Sequence, residues 1–159
     1  METILKKRAK EFMTKNVIAV TENESIKHLF KLLDKGGILG VPVIDKKRRV
    51  IGIVTETDLI KHFTTLKAPS SLNLLGGIVY LDNIQDFNKK LKEHCAETVK
   101  DLMFKSTITV HENATLLEII NIMSENQITR LPVINAKKQL VGIITRTDVV
   151  HQLAKVKKI

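Results

Sequence analysis

A chain of 159 residues that is 43% hydrophobic but only 4% aromatic holds enough apolar content for a globular interior, and that interior must be mostly aliphatic. No apolar run reaches the roughly 18–20 residues of a membrane-spanning helix. The stretch METILKKRAKEF lacks the apolar centre of a secretory signal, and the single cysteine, Cys95, excludes an intrachain disulfide and a cysteine metal cluster. A soluble, cytoplasmic protein is therefore expected. Lys+Arg 26 against Asp+Glu 17, a formal charge of +9, favours anionic partners. Much of that excess sits at the ends (Lys6, Lys7, Arg8, Lys10; Lys155, Lys157, Lys158) and in the run Lys46, Lys47, Arg48, Arg49. With few aromatic platforms for bases and no zinc-finger or RNP-like spacing, these runs read as solvated surface.

In chain order, an apolar piece at residues 17–20 reads as a strand, and Asn23 in the polar break after it is placed to cap a helix. Ile26, Leu29, Phe30 and Leu33 then fall at i, i+3, i+4 and i+7, one face of that helix. Gly36-Gly37 can end it with a positive φ. Residues 41–44 and 50–54, joined by the basic turn 45–49, form a hairpin, and a closing helix starts near Thr57. Residues 66–97 break the pattern. Pro69-Ser70-Ser71 marks a break, residues 77–81 a short strand, and residues 84–94 a helix with Ile84, Phe87 and Leu91 on one face, so a packed connector is expected. The first pattern then returns: a strand at 108–110, Asn113 as cap, and Leu116, Ile119, Ile120 and Met123 on one helix face.

The return is a repeat. Shifted by ninety residues, VIAVTENESIKHLFKLL from Val17 lies on TITVHENATLLEIINIM from Thr107, and ILGVPVIDKKRRVIGIVTETD from Ile38 lies on ITRLPVINAKKQLVGIITRTD from Ile128. A unit of this size buries too little surface to stand comfortably alone, so two copies should pack together. The expected fold class is mixed α/β (α+β), two β-α-β-β-α units as a pseudo-twofold pair. Residues 1–65 supply the first unit with an N-terminal helix, 66–97 the connector and 98–159 the second unit.

The strings GVPVID with GIVTETD, and RLPVIN with GIITRTD, resemble the cystathionine-β-synthase (CBS) domain, which usually occurs as a tandem pair. Gly52-Thr55-Asp58 and Gly142-Thr145-Asp148 both satisfy the family's glycine, hydroxyl and aspartate spacing. The string also has a chemical reason. A strand running into a helix presents its last hydroxyl and the helix N-terminus to one spot, and an aspartate three residues on can accept hydrogen bonds from a ribose diol. Equally, Thr55 or Thr57 can cap the helix with Asp58 in its first turn.

The resemblance implies a regulatory module that binds an adenosine-containing ligand between the copies: AMP, ADP, ATP, S-adenosylmethionine or a cyclic dinucleotide. By position, one site would use Val17, Ile18, Ala19, Ile38 and Leu39 with Arg130, Ile143, Thr145 and Asp148. The other would use Ile53, Thr55 and Asp58 with Thr107, Ile108, Thr109, Ile128 and Thr129. Phosphate-binding members often carry His-Arg before the Leu-Pro-Val strand; here Thr129-Arg130 and Leu39-Gly40 stand there, so only the Asp148 site keeps an arginine. The resemblance further implies a disc-like homodimer and a regulated partner protein that the sequence does not name.

No enzyme is expected. His28, His62, His94, His111 and His151 show no metal-ligand spacing along the chain, and no HExxH, G-x-S-x-G or Walker string is present. His94 and Cys95 are neighbours in sequence, which does not make them base and nucleophile. No metal site, cofactor or membrane contact is expected, and nucleic acid only under the alternative: a ligand-independent module that uses its basic surface to hold a protein or nucleic acid.

Overall fold

The computed structural model describes residues 2–64, 71–74, 77–80, 83–105 and 107–155. The chain runs α1 (Glu2–Leu5), a 3₁₀ turn (Ala9–Glu11), β1 (Val20–Thr21), α2 (Ile26–Gly36), β2 (Gly40–Ile44), β3 (Val50–Thr55), α3 (Glu56–Thr64), β4 (Ser71–Leu74), β5 (Gly77–Tyr80) and α4 (Ile84–Ala96). It continues through α5 (Val99–Leu102), β6 (Val110–His111), α6 (Leu116–Glu125), β7 (Arg130–Ile134), β8 (Leu140–Thr145) and α7 (Arg146–Leu153).

The two copies repeat in detail. β1 pairs parallel to β2 through Val20 and Val43, and β2 pairs antiparallel to β3 from Gly40–Thr55 to Ile44–Val50. Ninety residues on, β6, β7 and β8 pair in the same register, from Arg130–Thr145 to Ile134–Leu140. Both hairpins slip register at the same place, after Val43 and after Val133, and both turns hold a cation at positive φ, Arg48 and Lys138 at 60°.

Local chemistry sets the helix starts. The caps are Ser25 and Thr115, not Asn23 and Asn113: the Ser25 hydroxyl accepts from His28 N–H, and Thr115 accepts from Glu118 N–H. Each lies two residues later, immediately before the apolar stripe, where a hydroxyl reaches the first free N–H groups. Hydrogen bonds from the Thr115 backbone and hydroxyl in turn hold the Glu118 carboxyl below its ordinary range. The stripes point inward as the spacing predicts. Ile26, Leu29 and Leu33 are buried, as are Leu116, Ile119 and Met123, while Phe30 stays partly exposed. The first strand is shorter than expected, because residues 17–19 and 108–109 leave the ladder before β1 and β6 begin.

What joins the copies is an exchange of their leading segments. Ala9 N–H donates to Ala114 O at 2.8 Å and Lys10 N–H to Glu112 O at 3.0 Å, and Thr14 and Ile143 exchange two bonds of 3.0 Å. In the mirror position Val99 N–H donates to Glu24 O and Lys100 N–H to Glu22 O, both at 2.9 Å, and Phe104 and Ile53 exchange a pair. Ala9, with Ile4, Phe12 and Met13, completes the core around α6, and Val99, with Leu102 and Met103, completes the core around α2. The repeat glycines follow from this crossing. A Cβ at Gly52 would meet Met103, and one at Gly142 would meet Met13.

The connector forms a β4–β5 hairpin, Ser71 opposite Tyr80, and α4 then lies along α2. The break expected at Pro69-Ser70 falls outside the described residues. Among the described residues no helix is long and apolar enough to cross a membrane.

The copies differ at the end of the long helix. Gly37 caps α2 at φ 55°, whereas the equivalent Gln127 holds φ 53° with a side chain attached. The left-handed conformation strains a residue with a Cβ by roughly 1–2 kcal/mol, partly offset by glycine's greater freedom when unfolded. Gln127→Gly should therefore raise the unfolding free energy by up to about 1 kcal/mol, and Gly37→Ala should lower it by about 1 kcal/mol. Denaturant midpoints check both, and no gain for Gln127→Gly would mean that its side chain has a stabilising contact.

Candidate ligand-binding clefts

Each β-strand that closes a hairpin runs directly into a helix, and the glycine-hydroxyl-aspartate string lies on that junction. Thr145 N–H and Oγ1–H both donate to Asp148 Oδ2 at 2.7 Å, and Asp148 N–H donates back to the Thr145 hydroxyl at 3.4 Å. Thr55 N–H and Oγ1–H donate to Asp58 Oδ2 at 2.8 and 2.7 Å. Thr145 thus caps α7, and the same Thr-to-Asp arrangement recurs at Thr55, one of the two residues expected from sequence to cap there. It engages one carboxylate oxygen and leaves Oδ1 outside the box.

A cleft opens beside each junction, between the copies. The first, about 480 Å³, is walled by Val17, Ile18, Ile38 and Leu39 from one copy and by Arg130, Ile143 and Thr145 from the other. Of the residues assigned to it from sequence, Ala19 and Asp148 are not in its wall. The second, about 300 Å³, is walled by Ile53, Thr55, Thr107, Ile108, Ile128 and Thr129, without Asp58 or Thr109. Arg130 borders both clefts, so the arginine does not belong to the Asp148 side alone as expected. The reason is geometric: β7 starts between the clefts, and Arg130 is its first residue.

Among the wall residues that escape a motif-based reading are two that lie outside the repeat's strand-to-helix strings. Thr14 enters the first cleft and Phe104 the second, each carried in by the exchanged leading segment. The ninety-residue shift equates them, so the signal was present as a mismatched pair. A threonine leaves the first cleft polar at that point, and a phenylalanine occupies the second.

The first cleft also gathers charge. Arg146 and Glu56, equivalent under the same shift, both line it. Arg130 is only 14% exposed; its Nη1 donates to Thr129 Oγ1 at 3.1 Å and its Nη2 lies 3.9 Å from Glu56 Oε2. That separation is well beyond the roughly 2.7–2.9 Å of a charge-assisted hydrogen bond. Glu56 Oε2 is buried and accepts no hydrogen bond among the described residues. Arg130 is therefore loosely held, and the wall carries two guanidinium groups against one carboxylate, beside the positive end of α7. Such a wall offers guanidinium groups to an anion and, through Ile18 and Leu39, apolar surface as well; Leu39 is 56% exposed.

Two β-α-β-β-α units that exchange their leading segments and enclose a cleft at each strand-to-helix junction make up a tandem-domain architecture. The CBS-domain family profile matches residues 9–65 and 99–155, and the chain belongs to that family. A relative from Methanocaldococcus jannaschii, MJ1426, is 30% identical over 151 residues, covering 91% of this chain and 89% of the relative. The chain spans a smaller share of other relatives: 64% of the chloroplastic CBSX2 protein of Arabidopsis thaliana and 23% of an M. jannaschii inosine-5′-monophosphate dehydrogenase. Among solved structures, CBSX2 in complex with AMP superposes with a TM-score of 0.71 at 25% identity, covering 95% of this chain and 98% of that one. The CBS pair of MJ0100, solved with 5′-methylthioadenosine and S-adenosylmethionine, superposes at 0.70 with 23% identity, covering 92% of this chain and 99% of that one.

Because Thr145 caps α7, it contributes to stability without any ligand. Replacing an N-cap hydroxyl typically removes about 1 kcal/mol. Thr145→Val should lower the urea-derived unfolding free energy of the ligand-free protein by that amount, and an unchanged midpoint would show that the box is not formed in solution.

Proposed function

We propose that the protein is a regulatory module that binds an adenine nucleotide with a 5′-phosphate, such as AMP, in its first cleft, and passes that occupancy to a partner protein. The observation that carries this reading is the combination in one wall of exposed Ile18 and Leu39 with Arg130 and Arg146. The apolar side chains suit the faces of a purine, and the guanidinium groups suit a phosphate. Thr145, in the wall, and Asp148, which its hydroxyl holds, are the groups assigned to the ribose. The AMP complex of CBSX2 supports the choice of ligand. The second cleft, smaller and holding Phe104, is assigned an adenosine-like ligand with little phosphate, or none.

The ligand is bound and not converted. Among the described residues no histidine or cysteine lines either cleft to act as base or nucleophile, so the nucleotide should leave unchanged. The cytoplasm, where such nucleotides are abundant, is the compartment proposed.

The module is further proposed to act as a homodimer. An apolar hollow of about 540 Å³ lies between α2 and α3, lined by Phe30, Leu33, Leu59, Ile60 and Phe63, and Ile60 is 64% exposed. Surfaces of this kind favour burial against a partner. A disc-like dimer should sediment at twice 18.0 kDa. Ile60→Glu should shift it toward monomer, and a wild-type monomer at tens of micromolar, with and without AMP, would contradict the proposal.

Calorimetry on single variants tests the ligand assignment. A hydrogen bond to a charged group contributes about 1.5–3 kcal/mol, and 1.4 kcal/mol is about tenfold in affinity. Arg130→Ala should weaken AMP by roughly 10- to 100-fold and adenosine little, whereas Asp148→Ala should weaken both. Equal losses for nucleotide and nucleoside in Arg130→Ala would make the arginine structural. Nucleic acid bound tightly by a protein that ignores every nucleotide would favour the ligand-independent alternative.

A further inference from the structure

Away from both clefts, α3, the end of α4 and the turn into α5 converge. His62 lies on α3, His94 in the last turn of α4, and Glu97 is the residue that ends α4. His62 is distant in sequence from the other two, yet the three offer two imidazole nitrogens and a carboxylate oxygen that all lie within 4.8 Å of one another.

We infer that His62, His94 and Glu97 form a binding site for a zinc-like divalent transition metal, which would pin the connector helix α4 to the first copy. The donor set is one argument. Two imidazoles and a carboxylate suit zinc and its neighbours, with a fourth position left for water, and are a poor match for magnesium or calcium. Spacing is another. At metal–ligand distances near 2.0–2.1 Å, tetrahedral donors stand about 3.3 Å apart. His62 Nε2 and Glu97 Oε2 are 3.2 Å apart.

Orientation is the third argument. His94 Nδ1 lies 3.1 Å from the Lys90 carbonyl, so Nδ1 carries the proton and donates it there. That fixes the tautomer in which Nε2 presents its lone pair, the arrangement common in metal-bound histidines. Glu97 is held by its backbone on both sides: its carbonyl accepts from Ile26 N–H at 2.9 Å and its N–H donates to His94 O at 3.3 Å. His62 is only 14% exposed and packs edge-on against Phe63, and the two imidazole centroids are 4.8 Å apart. The Asp101 carboxyl, held low by hydrogen bonds from the Thr98 hydroxyl and backbone N–H and further by the charges of Lys100 and His62, stands close by.

The site is independent of the nucleotide reading, because it touches neither cleft. Chelator-treated full-length protein should be titrated with zinc chloride by calorimetry and with cobalt(II) by visible absorption. One equivalent per chain is expected, with a rise in thermal midpoint and a cobalt spectrum typical of low coordination number. His94→Gln and Glu97→Gln should each weaken zinc by at least about tenfold while leaving the metal-free melting temperature and AMP binding close to wild type. His62→Gln should do the same, and His151→Gln, on α7 of the other copy, should change nothing. A wild-type chain that takes up no zinc at millimolar concentration would overturn the inference. So would uptake that persists unchanged in a folded His94→Gln, Glu97→Gln double variant, which would place the metal elsewhere.

Discussion

Ala9 and Val99 are fully buried, each in the core of the copy to which it is not directly joined. This exchange is the constraint on which the rest of the structure depends. Neither half has a complete interior without the other's leading segment, so the two copies cannot drift apart as beads on a linker. Gly52 and Gly142 lie where the exchanged segments cross, and the only room there is for a residue without a Cβ. The clefts are a by-product of the same crossing. Residues 15–19 and 107–109, which carry each exchanged segment back to its own copy, leave the sheet early and pass along the strand-to-helix junctions.

A pseudo-twofold scaffold makes two clefts, and the sequence differences then make them unequal. Thr14 faces Phe104 under the repeat, Glu56 faces Arg146, and Gly40 faces Arg130. The exchanges make the walls differ: the first cleft is larger and gathers Arg130, Arg146 and Glu56, whereas the second is smaller, with Phe104 in its wall and Arg130 as its charged residue. Arg130 is the exception to a strict division, since the start of β7 brings it to both. Its weak contact with Glu56 leaves it free to turn toward an anion in the first cleft.

The repeat, its hairpins and its helix faces were all legible in the sequence, because alternation and i, i+3, i+4 spacing are local signals. GIVTETD and GIITRTD located both junctions, and most of the residues assigned around them do wall the clefts. The parts that were not legible are non-local. Nothing in the periodicity of residues 2–14 shows that they pack on α6 instead of α2, and so the entry of Thr14 and Phe104 into the clefts was hidden. The helix caps were misplaced by two residues, since Asn23 and Ser25 are both good capping types and only the path of the chain selects one. Arg130 bordering both clefts, and two distant histidines meeting at Glu97, likewise depend on how α3, α4 and β7 are brought together.

The central claim is that the leading-segment exchange yields one cleft for a nucleotide and a lesser one. Methyl-labelled NMR with AMP tests it most directly, since isoleucines line both clefts. The account predicts large shifts at Ile18, Ile38, Leu39 and Ile143 at the first equivalent, with Ile53, Ile108 and Ile128 close to their ligand-free positions. Perturbation of Ile53, Ile108 and Ile128 first, or of both sets in parallel from the first addition, would contradict it.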